Sequence, residues 1–324
     1  MSHQPVLRRL APGRGGLVAA AVVLMCGTVL TRADRCVLVE DFTATWCIPY
    51  CVYAGEALGQ LQDEYPEELA LLQIHYYDPP YTIPWGTARF YSYPNHPSIP
   101  DAWFDGVLQK LGADQNVYWV YLDMFNARQA VPTDVTVEIG GQQVSGPTFA
   151  FQVRVCLAAD GVAKPVRVYL VSALDHHPAG AHNRNCLMAA APTEDIDLVP
   201  GQCQVVERTM TFESESWTHQ ADIRVLAWVQ LPLDSGVREV YQAEMASWPF
   251  SPLPPLYDVG DINCDGTVGF GDINPFVLYL SQFTLWQEIF AGCPPTVGDI
   301  NGDGTYGQES FGDINPFVEL LSGR

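Results

Sequence analysis

The sequence predicts a multidomain chain: an α/β domain, then a β-sandwich, then a small α-helical module built on paired cation loops. Three observations carry this. Apolar runs separated by an amphipathic helix open the mature chain, and strict apolar–polar alternation replaces them beyond Pro132. Near the C-terminus an Asp/Asn/Gly phrase occurs twice, GDINCDGTVGFGDINPFV over Gly260–Val277 and GDINGDGTYGQESFGDINPFV over Gly298–Val318. A length of 324 residues leads to the expectation of two or three domains.

Residues 1–33 read as a secretory signal peptide: Arg8, Arg9 and Arg14, an apolar run from Leu17 to Leu30, and a small-residue exit at Thr31-Arg32-Ala33. The run is shorter than the ~20 residues a spanning helix needs. No membrane span is therefore expected once this segment, with Cys26, is removed. Cleavage takes four of the sixteen basic residues and none of the thirty-seven acidic ones, leaving a net charge of −25. Such a surface repels nucleic acid and anionic membranes. Eight cysteines remain, an even number that in a secreted chain indicates disulfides.

Residues 34–131 form the α/β segment. CVLVEDF at Cys36–Phe42 reads as a buried strand, followed by a cysteine-bearing turn, an amphipathic helix to about Tyr65 and a second buried strand over Leu69–Tyr76. Asp105-Gly106 between Ala102-Trp103-Phe104 and Val107-Leu108 predicts a hairpin, and Gln115–Arg128 a closing helix. The order is β-α-β-α-β-β-α. Residues 132–246 then alternate at Val135/Val137/Ile139, Phe149/Phe151/Val153/Val155 and Val166/Val168/Leu170, with further runs at Val205–Phe212, Ile223–Val229 and Val237–Tyr241, the pattern of a sandwich. Ser247–Leu256 is proline-rich and reads as a semi-rigid linker to the module at 257–324.

In the first loop Asp261, Asn263 and Asp265 stand at positions 1, 3 and 5, Gly266 at 6, Thr267 at 7 and Asp272 at 12. This is the oxygen spacing of an EF-hand-type calcium loop, with Thr267 offering its carbonyl and Asp272 closing the shell. The second loop offers Asp299, Asn301, Asp303 and Thr305, and two calcium ions are expected. Loop starts lie 38 residues apart but the FGDINPFV restarts 41 apart, so loop 2 holds three extra residues, assigned to Gln308, Glu309 and Ser310. Strict counting makes Ser310 the twelfth residue. The intact restart assigns the closing carboxylate to Asp313 instead, with Glu309 as competitor. Solvated turns without an ion are the alternative, and a weaker account of a spacing that occurs twice. A Cys264–Cys293 disulfide is one means of supporting so small a core.

This segment resembles dockerin domains, in which duplicated calcium loops and helices dock onto a cohesin partner. The resemblance implies attachment to a cohesin-like module in an extracellular or cell-surface assembly, often one that degrades polysaccharide. Phe270-Gly271 and Phe311-Gly312 occupy the positions where many dockerins present recognition side chains, and they do not specify a partner class.

The run Asp41-Phe42-Thr43-Ala44-Thr45-Trp46-Cys47 resembles the approach to a thioredoxin active site, and Ser98-Ile99-Pro100 before WFDG resembles the segment carrying its cis-proline. The element order of 34–131 is that of a thioredoxin-like fold. VEDFTATWC, IHYYDP and WFDG, with HNRNC and AWVQ…REVYQA more faintly, also resemble the Omp28-related bacterial surface proteins. A cysteine at a helix N-terminus has a favoured thiolate, which makes Cys47 the nucleophile and Cys51 its resolving partner, with Asp41 as proton relay and Pro100 beside them. Cys47-Ile48-Pro49-Tyr50-Cys51 is one residue longer than the thioredoxin motif, though residues i and i+4 share a helix face. Three readings stand: a structural disulfide, a thiol–disulfide oxidoreductase acting on a protein substrate, and a Cu(I) site resembling copper chaperones of the Sco type, with His75 or His96 as third ligand.

Asp175, His176, His177 and His182 near Cys186 suggest zinc, but no second close-spaced ligand pair accompanies them, and a polar surface loop is the reading taken. His75 and Asp78 sit where a strand ends and read as hydrogen-bonded there. The pairing of Cys36, Cys156, Cys186 and Cys203 stays open.

Overall fold

The computed structural model describes residues 34–94, 98–290 and 293–323. The signal-peptide expectation at 1–33 and His96 lie outside the described residues. The protein is mixed α/β, with seven α-helices and two multi-stranded sheets among the described residues.

The first segment runs β1 (Val37–Thr43), α1 (Tyr50–Glu64), β2 (Leu69–His75), α2 (Pro84–Ser92), β3 (Asp101–Phe104), β4 (Leu108–Leu111) and α3 (Val117–Gln129). Every residue of β1 and β2 is buried, which is why both are largely apolar on both faces, although β1 also buries Glu40 and Asp41 and β2 buries Gln73 and His75. Leu38, Phe42, Ala70, Leu72 and Ile74 face one core, whereas Val37, Val39, Leu69 and Leu71 face another covered by α1 and α3. β1 pairs parallel with β2 and antiparallel with β3, which pairs antiparallel with β4. Asp105 and Gly106, both at positive φ, turn the β3–β4 hairpin.

The second segment adds β5 (Val135–Ser145), β6 (Thr148–Leu157), β7 (Lys164–Leu174), β8 (Cys186–Ala190), β9 (Glu194–Leu198), β10 (Cys203–Thr211), α4 (Ser214–Thr218), β11 (Ile223–Gln230) and β12 (Val240–Ser247). Its strands do not form a closed unit of their own. β8 pairs with β7 and also, at Cys186 opposite Gln73, with β2, so one sheet runs β12-β11-β7-β8-β2-β1-β3-β4, with β9 also on β7. Tyr169, Val171, Leu226 and Trp228 continue the face of Leu38 and Phe42. On the other face Val166, Val168, Leu170, Val225 and Ala227 pack against β10-β6-β5, the second sheet, through Val137, Phe151 and Val153. Strands β8 and β9 escape a periodicity reading because β8 buries only Cys186 and Leu187 and β9 is largely acidic and exposed. Strand β12 begins later than the apolar run at Val237, which is itself exposed, and its inward Gln242 accepts from the Cys36 amide at 2.8 Å.

The proline-rich stretch is lashed down rather than free. Trp248 and Phe250 pack on the sandwich core, the Ser251 carbonyl accepts from the Gly141 amide at 2.9 Å, and Arg154 Nη1 donates to the Pro254 carbonyl at 2.8 Å. The last segment holds α5 (Ile273–Ser281), α6 (Phe283–Ile289) and α7 (Ile314–Leu321) around Ile262, Phe276, Tyr279, Trp286, Val297 and Phe317. Phe276 and Phe317, one from each repeat, meet with ring centres 4.3 Å apart.

Candidate functional site

Cys47 and Cys51 are joined in a disulfide with their Cα atoms 5.4 Å apart. The Cys51 amide donates to the Cys47 carbonyl at 2.9 Å, so the bridge spans the turn that leads into α1. Cys47 is 9% exposed and Cys51 2%. Both pack with Ala44 against Ile99, whose carbonyl oxygen lies 3.7 Å from Cys47 Sγ and whose bond to Pro100 is cis. Trp46, 59% exposed, is fixed by its indole N–H to the Tyr77 carbonyl at 2.9 Å. The approach strand end is clamped by Asp78, which accepts from the Thr45 amide at 2.6 Å and the Thr45 hydroxyl at 2.7 Å, and which meets His75 Nδ1 at 2.7 Å.

Asp41 is fully buried on β1, and burial pushes its carboxyl up to about 7 despite one hydrogen bond from Gln73 Nε2 at 3.1 Å; the Asp101 carboxylate adds to the rise. Its Oδ1 finds no hydrogen-bond partner among the described residues, nor does the buried Tyr121 hydroxyl, which feels both the Asp41 and Asp101 charges. Gly55 marks how close α1 comes here. A Cβ on it would stand 2.1 Å from the His182 carbonyl oxygen and 3.0 Å from Gln73 Nε2, the atom that donates to Asp41. Gly55 is one turn beyond Cys51, so the carboxyl lies beneath the helix face that carries the disulfide.

The two C-terminal loops are wired alike. Asp261 accepts from the Asp265 and Gly266 amides at 3.0 and 2.9 Å, and Asp299 from the Asp303 and Gly304 amides at 3.0 Å each. Asn263 and Asn301 accept from the Asp265 and Asp303 amides, whose carboxylates in turn take the hydroxyls of Thr267 and Thr305. Asp272 Oδ1 accepts from the Asn263 amide at 3.0 Å and Asp313 Oδ1 from the Asn301 amide at 2.7 Å. Asp313 thus stands in loop 2 where Asp272 stands in loop 1. Ser310 instead spends its hydroxyl on the Thr305 carbonyl at 3.0 Å, and Glu309 is exposed.

The donor set suits a hard cation. It is all oxygen, Asp261, Asp272 and Asp313 are fully buried, and Asp313 Oδ2 finds no hydrogen-bond partner among the described residues. Burial, then the neighbouring loop carboxylates, hold Asp261 and Asp313 above the usual carboxylate range against their amide hydrogen bonds. Asp261, Asn263, Asp265, Asp272 and the Thr267 carbonyl would hold an ion in loop 1, and Asp299, Asn301, Asp303, Asp313 and the Thr305 carbonyl in loop 2.

Among the described residues no group of three or more His, Cys, Asp or Glu is positioned as it stands to hold a metal. Asp175, the centre of the zinc alternative, is engaged by Arg184 at 2.8 Å and Arg224 at 3.5 Å, which hold its carboxyl low against burial. Of the histidines considered for Cu(I), His75 is buried with Nε2 unpartnered among the described residues, and burial lowers its pKa against the Asp78 contact. Cys156 pairs with Cys203 across β6 and β10, whereas Cys36 and Cys186 are buried free thiols. Cys264–Cys293 is also a disulfide.

No protein-family model matches the chain, and no curated protein does. Among solved structures it is similar to a domain of the outer membrane lipoprotein Omp28 from Porphyromonas gingivalis, at 12% identity and TM-score 0.28, over 38% of this chain and 92% of that one. It is also similar to the sporulation control protein Spo0M from Bacillus subtilis, at 13% identity and TM-score 0.26, over 38% and 51%. A third is a β-glucosidase from Kluyveromyces marxianus, at 16% identity and TM-score 0.23, over 36% of this chain and 14% of that one. Three disulfides are compatible with an extracellular or envelope location. No helix among the described residues is long and apolar enough to cross a membrane.

Proposed function

We propose that the chain is a secreted calcium-binding modular protein that attaches through its dockerin-like segment 257–324 to a cohesin-type partner in an extracellular or cell-surface assembly. The observation that carries this reading is the duplicated loop with its buried carboxylates, above all the unpartnered Asp313 Oδ2, a buried charge that a cation would satisfy. Each repeat also keeps apolar side chains in solvent. Phe270 and Phe311 are 81% and 63% exposed, and Ile273, Val277, Ile314 and Val318 beside them are exposed as well. Such surface suits a protein partner. The test is calcium titration of the full chain after chelation, with capture on an immobilised cohesin module in calcium and in chelator. Two ions bound and calcium-dependent capture are expected; no calcium uptake overturns the reading.

The second reading, a thiol–disulfide oxidoreductase on a thioredoxin-like domain, is supported by the bridge at the start of α1, its packing on Ile99-Pro100, and Asp41 raised to about 7 beneath the helix. The strand order β2-β1-β3-β4 is in keeping with that fold. In the reduced protein Cys47 should alkylate faster than Cys51 at neutral pH, and Cys51→Ser should accumulate mixed disulfides through Cys47. Equal, slow alkylation with no mixed disulfide leaves the bridge structural.

A further inference from the structure

We propose that the two loops are unequal: the Cys264–Cys293 disulfide makes loop 1 the tighter calcium site and the one that responds to reduction. This rests on the calcium reading above. The asymmetry begins at the fourth loop position. Loop 2 has Gly302 there at φ 72°, the left-handed conformation that glycine adopts freely, while loop 1 has Cys264 at φ 53°. A side chain is a disadvantage at such a position unless it is used. Here it is used, because its sulfur is bonded to Cys293, 29 residues further on in the stretch that leads to loop 2.

The bridge is placed to hold ligands. Cys264 sits between Asn263 and Asp265, and its Sγ lies 3.6 Å from the carbonyl oxygen of Asp261, with Cys293 Sγ 3.9 Å from the same atom. Cys293 is buried in the module's core beside Ile262 and Trp286, and the Trp286 indole donates to the Ile262 carbonyl at 3.0 Å. The first half of loop 1 is thus tied to the core by a covalent bond and a hydrogen bond. At Gly302 a Cβ would meet nothing within 4 Å, and Asn301 to Gly304 are exposed.

The closing carboxylates differ in the same direction. Both oxygens of Asp272 already accept backbone amides, from Asn263 at 3.0 Å and Gly269 at 2.9 Å. In loop 2 the three extra residues intervene, and Asp313 Oδ2 has no such donor. Both loops share the same internal hydrogen bonds, but loop 1 adds a covalent tie and a second amide on its closing carboxylate, so holding loop 2 around an ion costs more and lowers its apparent affinity. Reduction by a dithiol removes the advantage. Two electrons and two protons pass to the bridge, the S–S bond breaks, Cys264 and Cys293 become thiols, and the reductant becomes a disulfide.

The test is isothermal calcium titration of the full chain. The oxidised protein should show two steps separated by roughly tenfold or more, and Cys264→Gly, which copies loop 2, should bring the tight step to within a few-fold of the weak one. Asp299→Ala should delete the weak step, and in that variant dithiothreitol should weaken the remaining step and raise protease cleavage within 257–324. This second arm does not depend on Cys264→Gly folding. Two steps that ignore both Cys264→Gly and dithiothreitol overturn the inequality while leaving the calcium reading intact; no uptake at either loop overturns both.

Discussion

Arg89 and Glu40 form a two-armed ion pair, Nε to Oε1 and Nη2 to Oε2 at 2.7 Å each, with both side chains buried. The same guanidinium donates to Gln230 Oε1 at 2.9 Å and lies over the rings of Tyr169 and Trp228 at 5.0 and 5.7 Å. Glu40 belongs to β1, Arg89 to α2, and Gln230 and Trp228 to β11. One buried cation therefore joins two strands of the long sheet that β7, β8 and β2 separate.

Glu40→Ala leaves that cation without its carboxylate and should cost about 3–5 kcal/mol. Urea unfolding followed by tryptophan fluorescence should show Trp103 on β3 and Trp228 on β11, which share one face of the sheet, melting together at lower denaturant. A loss under about 1 kcal/mol would mean that water reaches Arg89 in the variant.

Burial pushes the Asp41 carboxyl up to about 7 from an ordinary value of 3.8. A carboxyl raised on folding contributes stability that is fully present below its unfolded pKa and lost as pH rises through its folded one. Stability should therefore fall between about pH 4 and pH 7, by up to about 4 kcal/mol from this group. Glu244, raised to about 7 by burial, acts in the same sense. Asp41→Asn should flatten the profile in part and raise the denaturation midpoint at pH 7.5. An unchanged slope would show that Asp41 is solvated.

In loop 2, Asp313→Ala should weaken calcium binding far more than Ser310→Ala, because Asp313 carries the unpartnered buried oxygen while Ser310 bonds the Thr305 carbonyl. Removing one carboxylate from such a loop should reduce affinity by roughly tenfold or more. Calcium titration of the two full-length variants checks this, and the reverse order would assign the closing position to Ser310.

Asp78→Ala removes two bonds to Thr45 and the contact with His75 Nδ1. The expected loss is about 1–3 kcal/mol of stability, together with faster alkylation of Cys47 after reduction, since the segment leading to it loses its anchor. Denaturation and mass spectrometry of the alkylated protein read the two effects separately.

Much of the fold is legible in the sequence where burial is one-sided or complete. The largely apolar, wholly buried run at Val37–Phe42, which carries Glu40 and Asp41, and the alternation at Val135–Ile139 both correspond to strands. What the sequence hides depends on partners distant in the chain. The pairing of β8 with β2 is made by backbone opposite Gln73, so no side-chain pattern records it. Cys156 meets Cys203 only because β6 and β10 align in one register, and Asp78 reads as a strand-end residue until Thr45 is brought to it. The cation loops are legible for the opposite reason, as their donors lie within a dozen or so residues of one another.

The docked prolines set the reach of the C-terminal module. With Pro254 held by Arg154, only Pro255 and Leu256 separate the anchor from Tyr257, which already packs on the module's core. The three Cα-to-Cα steps from Pro254 to Tyr257 span at most roughly 10 Å. A partner of the kind proposed for the module would then be confined to a small volume beside the sandwich, at an effective concentration that a long flexible tether would dilute. Lengthening the stretch after Pro254 changes that confinement without touching a single contact of either body.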